Sequence, residues 1–163
     1  MPLTTNVNYL QPTGFKLVMD RKHYANLQFF ASSVSHPSVT MVSPQLAYSR
    51  ANLMLAGDKL NFGEVTFSVI LDEDMRSYQE MYDWMQLLVN TPNKNATDRS
   101  DTTPSTFADI SLIALTSHNN SSKTIRYIDA VPTMLGNIEF ETTSAENHLI
   151  FPVTFAFTYF ELV

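Results

Sequence analysis

Between Gly57 and Asn90 the chain changes hydrophobic period once, from two residues to between three and four. Val65, Phe67, Val69 and Leu71 alternate with Glu64, Thr66, Ser68 and Ile70, which predicts a strand with a mostly apolar face. Asp72, Glu73 and Asp74 follow together. Asp72 suits an N-cap, and the next two carboxylates suit a first turn, where exposed N–H groups and the helix dipole favour negative charge. Met75, Tyr78, Met81, Tyr82, Met85, Leu88 and Val89 then recur against Arg76, Gln79, Glu80, Asp83 and Gln86. That spacing predicts one amphipathic helix over about 73–89, laid on a sheet and ended by Asn90 and Pro92.

The remaining pattern is mostly that of strands. Residues 1–12, polar and holding Pro2 and Pro12, read as an N-terminal arm. Phe15, Leu17 and Met19 alternate as a short strand, Leu27–Val34 reads as another, His36-Pro37 breaks it, and Val39 and Met41 suggest a third. Residues 43–56 form an extended loop that mixes Pro44, Leu46, Tyr48, Leu53, Met54 and Leu55 with little regular period. Such apolar surface either folds over the core or lies on another subunit. Residues 91–106 make a long polar loop. Phe107–Thr116 and Lys123–Val131 predict a β-hairpin, Pro132 begins a new connection, Gly136 bends it, and Ile138–Thr142 reads as a strand. The final strand, Leu149–Leu162, places Phe151, Val153, Phe155, Phe157 and Tyr159 on one face, with Pro152 interrupting its donor row. The sum is a single mainly β domain over 1–163, a barrel or sandwich of about seven or eight strands with one flanking helix.

Composition narrows the function. With 10 basic against 16 acidic residues the net charge is −6, which argues against gripping nucleic acid by its phosphates. Charged residues are 16% of the chain, well under the usual quarter, as in proteins whose surfaces end against partners and equally in polar β domains. There is no cysteine, hence no disulfide or thiol chemistry. The N-terminus lacks the basic start and apolar core of a signal peptide, and no apolar run approaches a membrane span, so a cytoplasmic protein is expected. His23, His36, His118 and His148 are far apart and suggest no metal. Glu139 and Glu141, two apart on a predicted strand, share a face as catalytic pairs sometimes do, but more often such a pair is a solvated face. Trp84 lies inside the helix pattern, which points to packing rather than to an exposed ligand platform. With 4 glycines and no Gly-x-Ser-x-Gly turn, neither a phosphate-cradling loop nor a hydrolase elbow is present. No enzyme and no cofactor are expected.

The strand-to-helix run GDKLNFGEVTFSVILDEDMRSYQEMYDWM, with its aromatic-Asp-Trp step at Tyr82-Asp83-Trp84, resembles the tail tube proteins of contractile-tailed, T4-like bacteriophages. So do the Pro132-Thr133 connection, the C-terminal strand around Phe151–Tyr159 and the opening NYLQPTGFKLVMDRK. That family shares its fold with the tube protein of type VI secretion and with the baseplate protein that starts the phage tube. The resemblance implies a β-barrel-like virion protein, assembled in the host cytoplasm, whose six-membered rings stack into the inner tail tube, the conduit for DNA. Its partners would be further copies, then sheath, baseplate and tail terminator proteins, with DNA passing unbound and no small-molecule substrate. Contact candidates are Leu3, Tyr9 and Leu10 on the arm, with Pro44, Leu46, Tyr48, Leu53, Met54 and Leu55 on the 43–56 stacking loop. A baseplate tube initiator and a monomeric ligand-binding β-sandwich are the alternatives.

Overall fold

A computed structural model of the chain describes residues 10–19, 30–89, 107–142 and 148–163. Among them are eleven strands and one helix. The strands are β1 (Phe15–Val18), β2 (Ala31–Ser35), β3 (Val39–Met41), β4 (Gln45–Tyr48), β5 (Ala51–Met54), β6 (Leu60–Phe62), β7 (Val65–Ile70), β8 (Ala108–Leu115), β9 (Ser121–Leu135), β10 (Ile150–Ala156) and β11 (Tyr159–Leu162). The helix, α1, is Arg76–Val89. Among the described residues the chain is mainly β with one flanking helix of any length, as its pattern predicts, but several of the strands are too short to be read from periodicity.

Seven strands form the body, in the order β1-β8-β9-β10-β7-β2, with β11 on the edge of β9 opposite β8. All pairings are antiparallel. The two ends of this order, β1 and β2, do not pair, so the described residues do not close a barrel. At fifteen residues β9 serves two halves. Its first part pairs β8 and β11, and its last part, Val131 to Leu135, pairs β10. Between them Asp129 adopts a left-handed φ of 55°, which aspartate tolerates, and its N–H is bonded by the Asp109 carboxylate at 3.4 Å. The predicted new connection at Pro132 is therefore corrected: the strand runs through it. No strand forms over 138–142, because Gly136 carries the chain off β9 across Pro152, whose ring atoms lie 2.3 Å from where a Cβ would stand.

Val65, Phe67 and Val69 are buried and their neighbours half-buried, the alternation expected of a strand with one face inward. Opposite them in register stand Phe155, Val153 and Phe151, all with no exposed surface. Pro152 does not interrupt this ladder. Its carbonyl accepts from Gly136 N–H at 2.7 Å, so its own nitrogen also faces the β9 side, and no bond to β7 is lost. Across this sheet lies α1, with Met81 and Trp84 buried, Trp84 5.8 Å from Phe155 and Tyr78 5.5 Å from Phe151. Each such side chain contributes about 1.5–3 kcal/mol by leaving water.

The helix starts three residues later than predicted. Glu73 and Asp74 form a turn, Met75 takes φ 54°, and only then does α1 begin. Asp72 still caps it: its carboxylate accepts from Arg76 N–H and Ser77 N–H, both at 3.0 Å, and from Ser77 Oγ at 2.7 Å. Burial raises the cost of charge there, but these bonds outweigh it and hold the carboxyl below the usual carboxylate range. The long last strand also differs. It breaks at Phe157-Thr158, and the facing pattern slips by one, so that Phe160 rather than Tyr159 joins Phe157 on Tyr127.

Candidate functional site

Between Ser38 and Gly63 the chain leaves the body and returns as an antiparallel arm. Its base is β3 paired with β6 and its tip is β4 paired with β5, turned by Ser49 and Arg50. The 43–56 segment is thus a hairpin, not an irregular loop. Its strands hide their period because each shows only two side chains per face. Leu46 stands directly opposite Leu53 and shares a face with Tyr48, while Gln45 and Asn52, bonded to each other at 3.1 Å, lie on the other. The spacing of Leu46, Tyr48 and Leu53 about a two-residue turn is the signal that would have predicted it.

The arm is exposed throughout β3, β4 and β5. Of twenty exposed large apolar side chains among the described residues, nine lie between Val39 and Leu60. Tyr48 at the tip is 73% exposed, and Leu46 and Leu53 about half. A two-stranded ribbon has no layer behind it to cover such a face, and apolar surface so concentrated marks a contact surface.

The root is held firmly. Pro37 is buried, Gly63 N–H donates to Ser38 C=O at 2.9 Å, and the Phe62 ring lies 5.4 Å from Phe160 and 6.0 Å from Phe157. His36, on the rim of this aromatic cluster, meets Tyr127 Oη through Nδ1 at 2.8 Å and Phe160 edge-on at 5.0 Å. Burial lowers the His36 pKa and pushes the Tyr127 phenol up to about 12, so both favour their neutral forms. The neck between base and tip is narrow. Leu55 N–H donates to Pro44 C=O at 3.1 Å, and a Cβ on Gly57 would stand 1.9 Å from the Val42 carbonyl oxygen, so only glycine fits.

Of the contact candidates, Leu46, Tyr48, Leu53, Met54, Leu55 and Pro44 all sit exposed on this arm, and Leu10 is exposed ahead of β1. Leu3 and Tyr9 lie outside the described residues, as does the polar 91–106 stretch. Glu139 and Glu141 share no strand face, since the segment that holds them is irregular. Among the described residues no group of three His, Asp or Glu side chains could hold a metal. Trp84 is 1% exposed and cannot serve as a ligand platform.

The sequence profile of phage tail tube proteins matches residues 1–162. The chain belongs to the phage tail tube protein family. Its role is structural, as a component of a tail tube, and it is not an enzyme. No curated protein matches it. Among solved structures, the tube-terminating cap of the anti-feeding prophage is similar, with a TM-score of 0.70 at 15% identity over 98% of this chain and 95% of that one. A chain of the sheath-tube complex of the extracellular contractile injection system PVC gives 0.69 at 14%, over 96% and 93%. One from the anti-feeding prophage baseplate gives 0.65 at 12%, over 98% and 97%. At such identities these likenesses establish the fold, which is that of a tail tube protein.

Proposed function

We propose that this chain assembles into six-membered rings that stack as the inner tube of a contractile tail and pass DNA during ejection. The apolar hairpin arm carries the reading. An arm that leaves Leu46, Tyr48 and Leu53 in water buries too little to offset the entropy of ordering it, and a second copy that covers this face supplies the missing stabilisation. Among the described residues the outer edges of β1 and β2 are unpaired, which suits a sheet that continues from one subunit to the next. Six copies at −6 each give −36 per ring, a wall along which phosphates slide without being held. The remaining partners are the sheath outside and baseplate and terminator proteins at the two ends. Residues 1–12 serve as an arm that locks one ring onto the next, and their removal leaves a folded domain with impaired stacking.

A tube initiator at the baseplate is the second reading, favoured by the similarity to a baseplate chain. Copy number in purified particles separates the two: many for a tube, about six for an initiator that forms a single ring. Negative-stain microscopy of the purified protein tests the shared claim. Rings or tubes with a central hole are expected, and a monomer that persists beside a preformed ring or baseplate counts against it.

A further inference from the structure

The arm and a second feature lie at opposite ends of the same two strands. Phe62 leads through Gly63 and Glu64 into Val65, which pairs Phe155, so the arm leaves the body at the Val65–Phe155 end. At the other end Ile150 pairs Ile70. There a wide-mouthed cavity of about 540 Å³ opens between the exit of β9 and the entry of β10. Met134, Leu149, Ile150 and Pro152 give it apolar walls, and Glu139 stands among the lining residues. Met134 and Ile150 are each close to half exposed, so the cavity offers apolar surface to an incoming side chain.

The arm tip has the complementary chemistry. Between Gln45 and Met54 the sole charged residue is Arg50, and it follows the most exposed aromatic of the arm, Tyr48, by two positions. Among the described residues neither Arg50 nor Glu139 is engaged in an ion pair. The cavity falls within the roughly 300–1,000 Å³ of clefts that take side-chain-sized groups, enough for a tyrosyl ring and a guanidinium. From root to turn the arm covers about ten residues, a reach of about 30 Å when extended.

We infer that the cavity is the socket for the arm tip of a second copy, with Tyr48 against Met134 and Ile150 and Arg50 on the Glu139 carboxylate. This rests on the tube reading and specifies where one ring grips the next. Because arm and socket lie at opposite ends of the body, the contact is head-to-tail and does not close on itself as a dimer; each copy offers a free arm at one end and a free socket at the other.

Charge reversal tests it. Arg50→Glu and Glu139→Arg are both surface changes and are expected to leave the melting temperature unaltered. Each should raise the critical concentration for assembly about tenfold, and the double reversal should restore it to within about threefold. Because the chain has no cysteine, Tyr48→Cys with Asn137→Cys, treated with a short thiol–thiol cross-linker, gives a second readout. A ladder of dimers, trimers and higher species supports the socket. A product stopping at dimers, or none from an assembled sample, overturns it. If the unaltered protein assembles and both reversals assemble equally well, the socket is wrong while the tube reading stands. If the unaltered protein never assembles, even on a preformed ring, the tube reading itself fails.

Discussion

Replacing Leu46 and Leu53 together by serine should separate folding from assembly. The two face each other across the tip of the arm, and each is about half exposed, at 54% and 52%. In the single chain they contribute no more than a cross-strand pair, about 0.2–1 kcal/mol, and that only to the hairpin. The core of Phe67, Trp84 and Phe155 lies elsewhere and is untouched. Burial of the exposed half of each leucine against a second copy is worth about 1 kcal/mol, half of the roughly 1.5–3 for a whole side chain. The pair therefore contributes about 2 kcal/mol per subunit contact, or about 30-fold in its association constant. Thermal unfolding of dilute protein should barely change, whereas the critical concentration for tube assembly, followed by sedimentation, should rise by that factor or more. Unchanged assembly would show that the apolar face of the arm lies outside the contact. A large fall in melting temperature would show that the arm packs on its own body.

Three further outcomes follow from the geometry. Trp84→Ala should cost about 3–5 kcal/mol in chemical unfolding, because the side chain is 1% exposed and fills the space between α1 and Phe155. Asp72→Ala should cost about 1 kcal/mol near neutral pH through loss of the cap. Since the folded-state carboxyl is held below its ordinary range, that stabilisation is complete above the ordinary value and is lost as pH falls through the lowered one. The melting curves of the two proteins should converge in strong acid. Gly57→Ala should pry open the neck of the arm, since the obstructing atom is the Val42 backbone oxygen, which cannot swing aside. Assembly should fail while the melting temperature of the body holds, which paired sedimentation and unfolding curves would show.

What was legible from the sequence was what local chemistry decides. The β7 alternation, the cap at Asp72 and the centre of the helix stripe, Tyr78, Met81 and Met85, need no partner to be read, because one buried face imposes its period on the residues that meet it, whereas Met75, Tyr82 and Val89, expected on the same stripe, are exposed. Three features escaped for a shared reason, which is that their geometry is set by contacts distant in sequence. Asp129 bends β9 with help from Asp109, twenty residues away, so the strand continues past a proline that alone reads as a stop. The slip at Phe157-Thr158 is fixed by Tyr127 and Phe62, and no pattern within 149–162 reports it. The helix start moved because Asp72 reaches Ser77 across a turn, leaving Glu73 and Asp74 outside the first turn that their charge suits. Apolar content marks the arm in the sequence, but no regular period there marks it as a hairpin. Strands of three and four residues offer too few alternations to show a period, and a ribbon exposed on both faces has no core to enforce one.

The central claim is that copies of this chain build a hollow tube. Electron microscopy of the purified protein over a range of concentrations, with and without a preformed ring or baseplate, tests it most directly. Six-fold rings and stacked tubes with an open centre are the predicted result. A protein that stays monomeric at high concentration and is not recruited by a preformed ring would contradict the account.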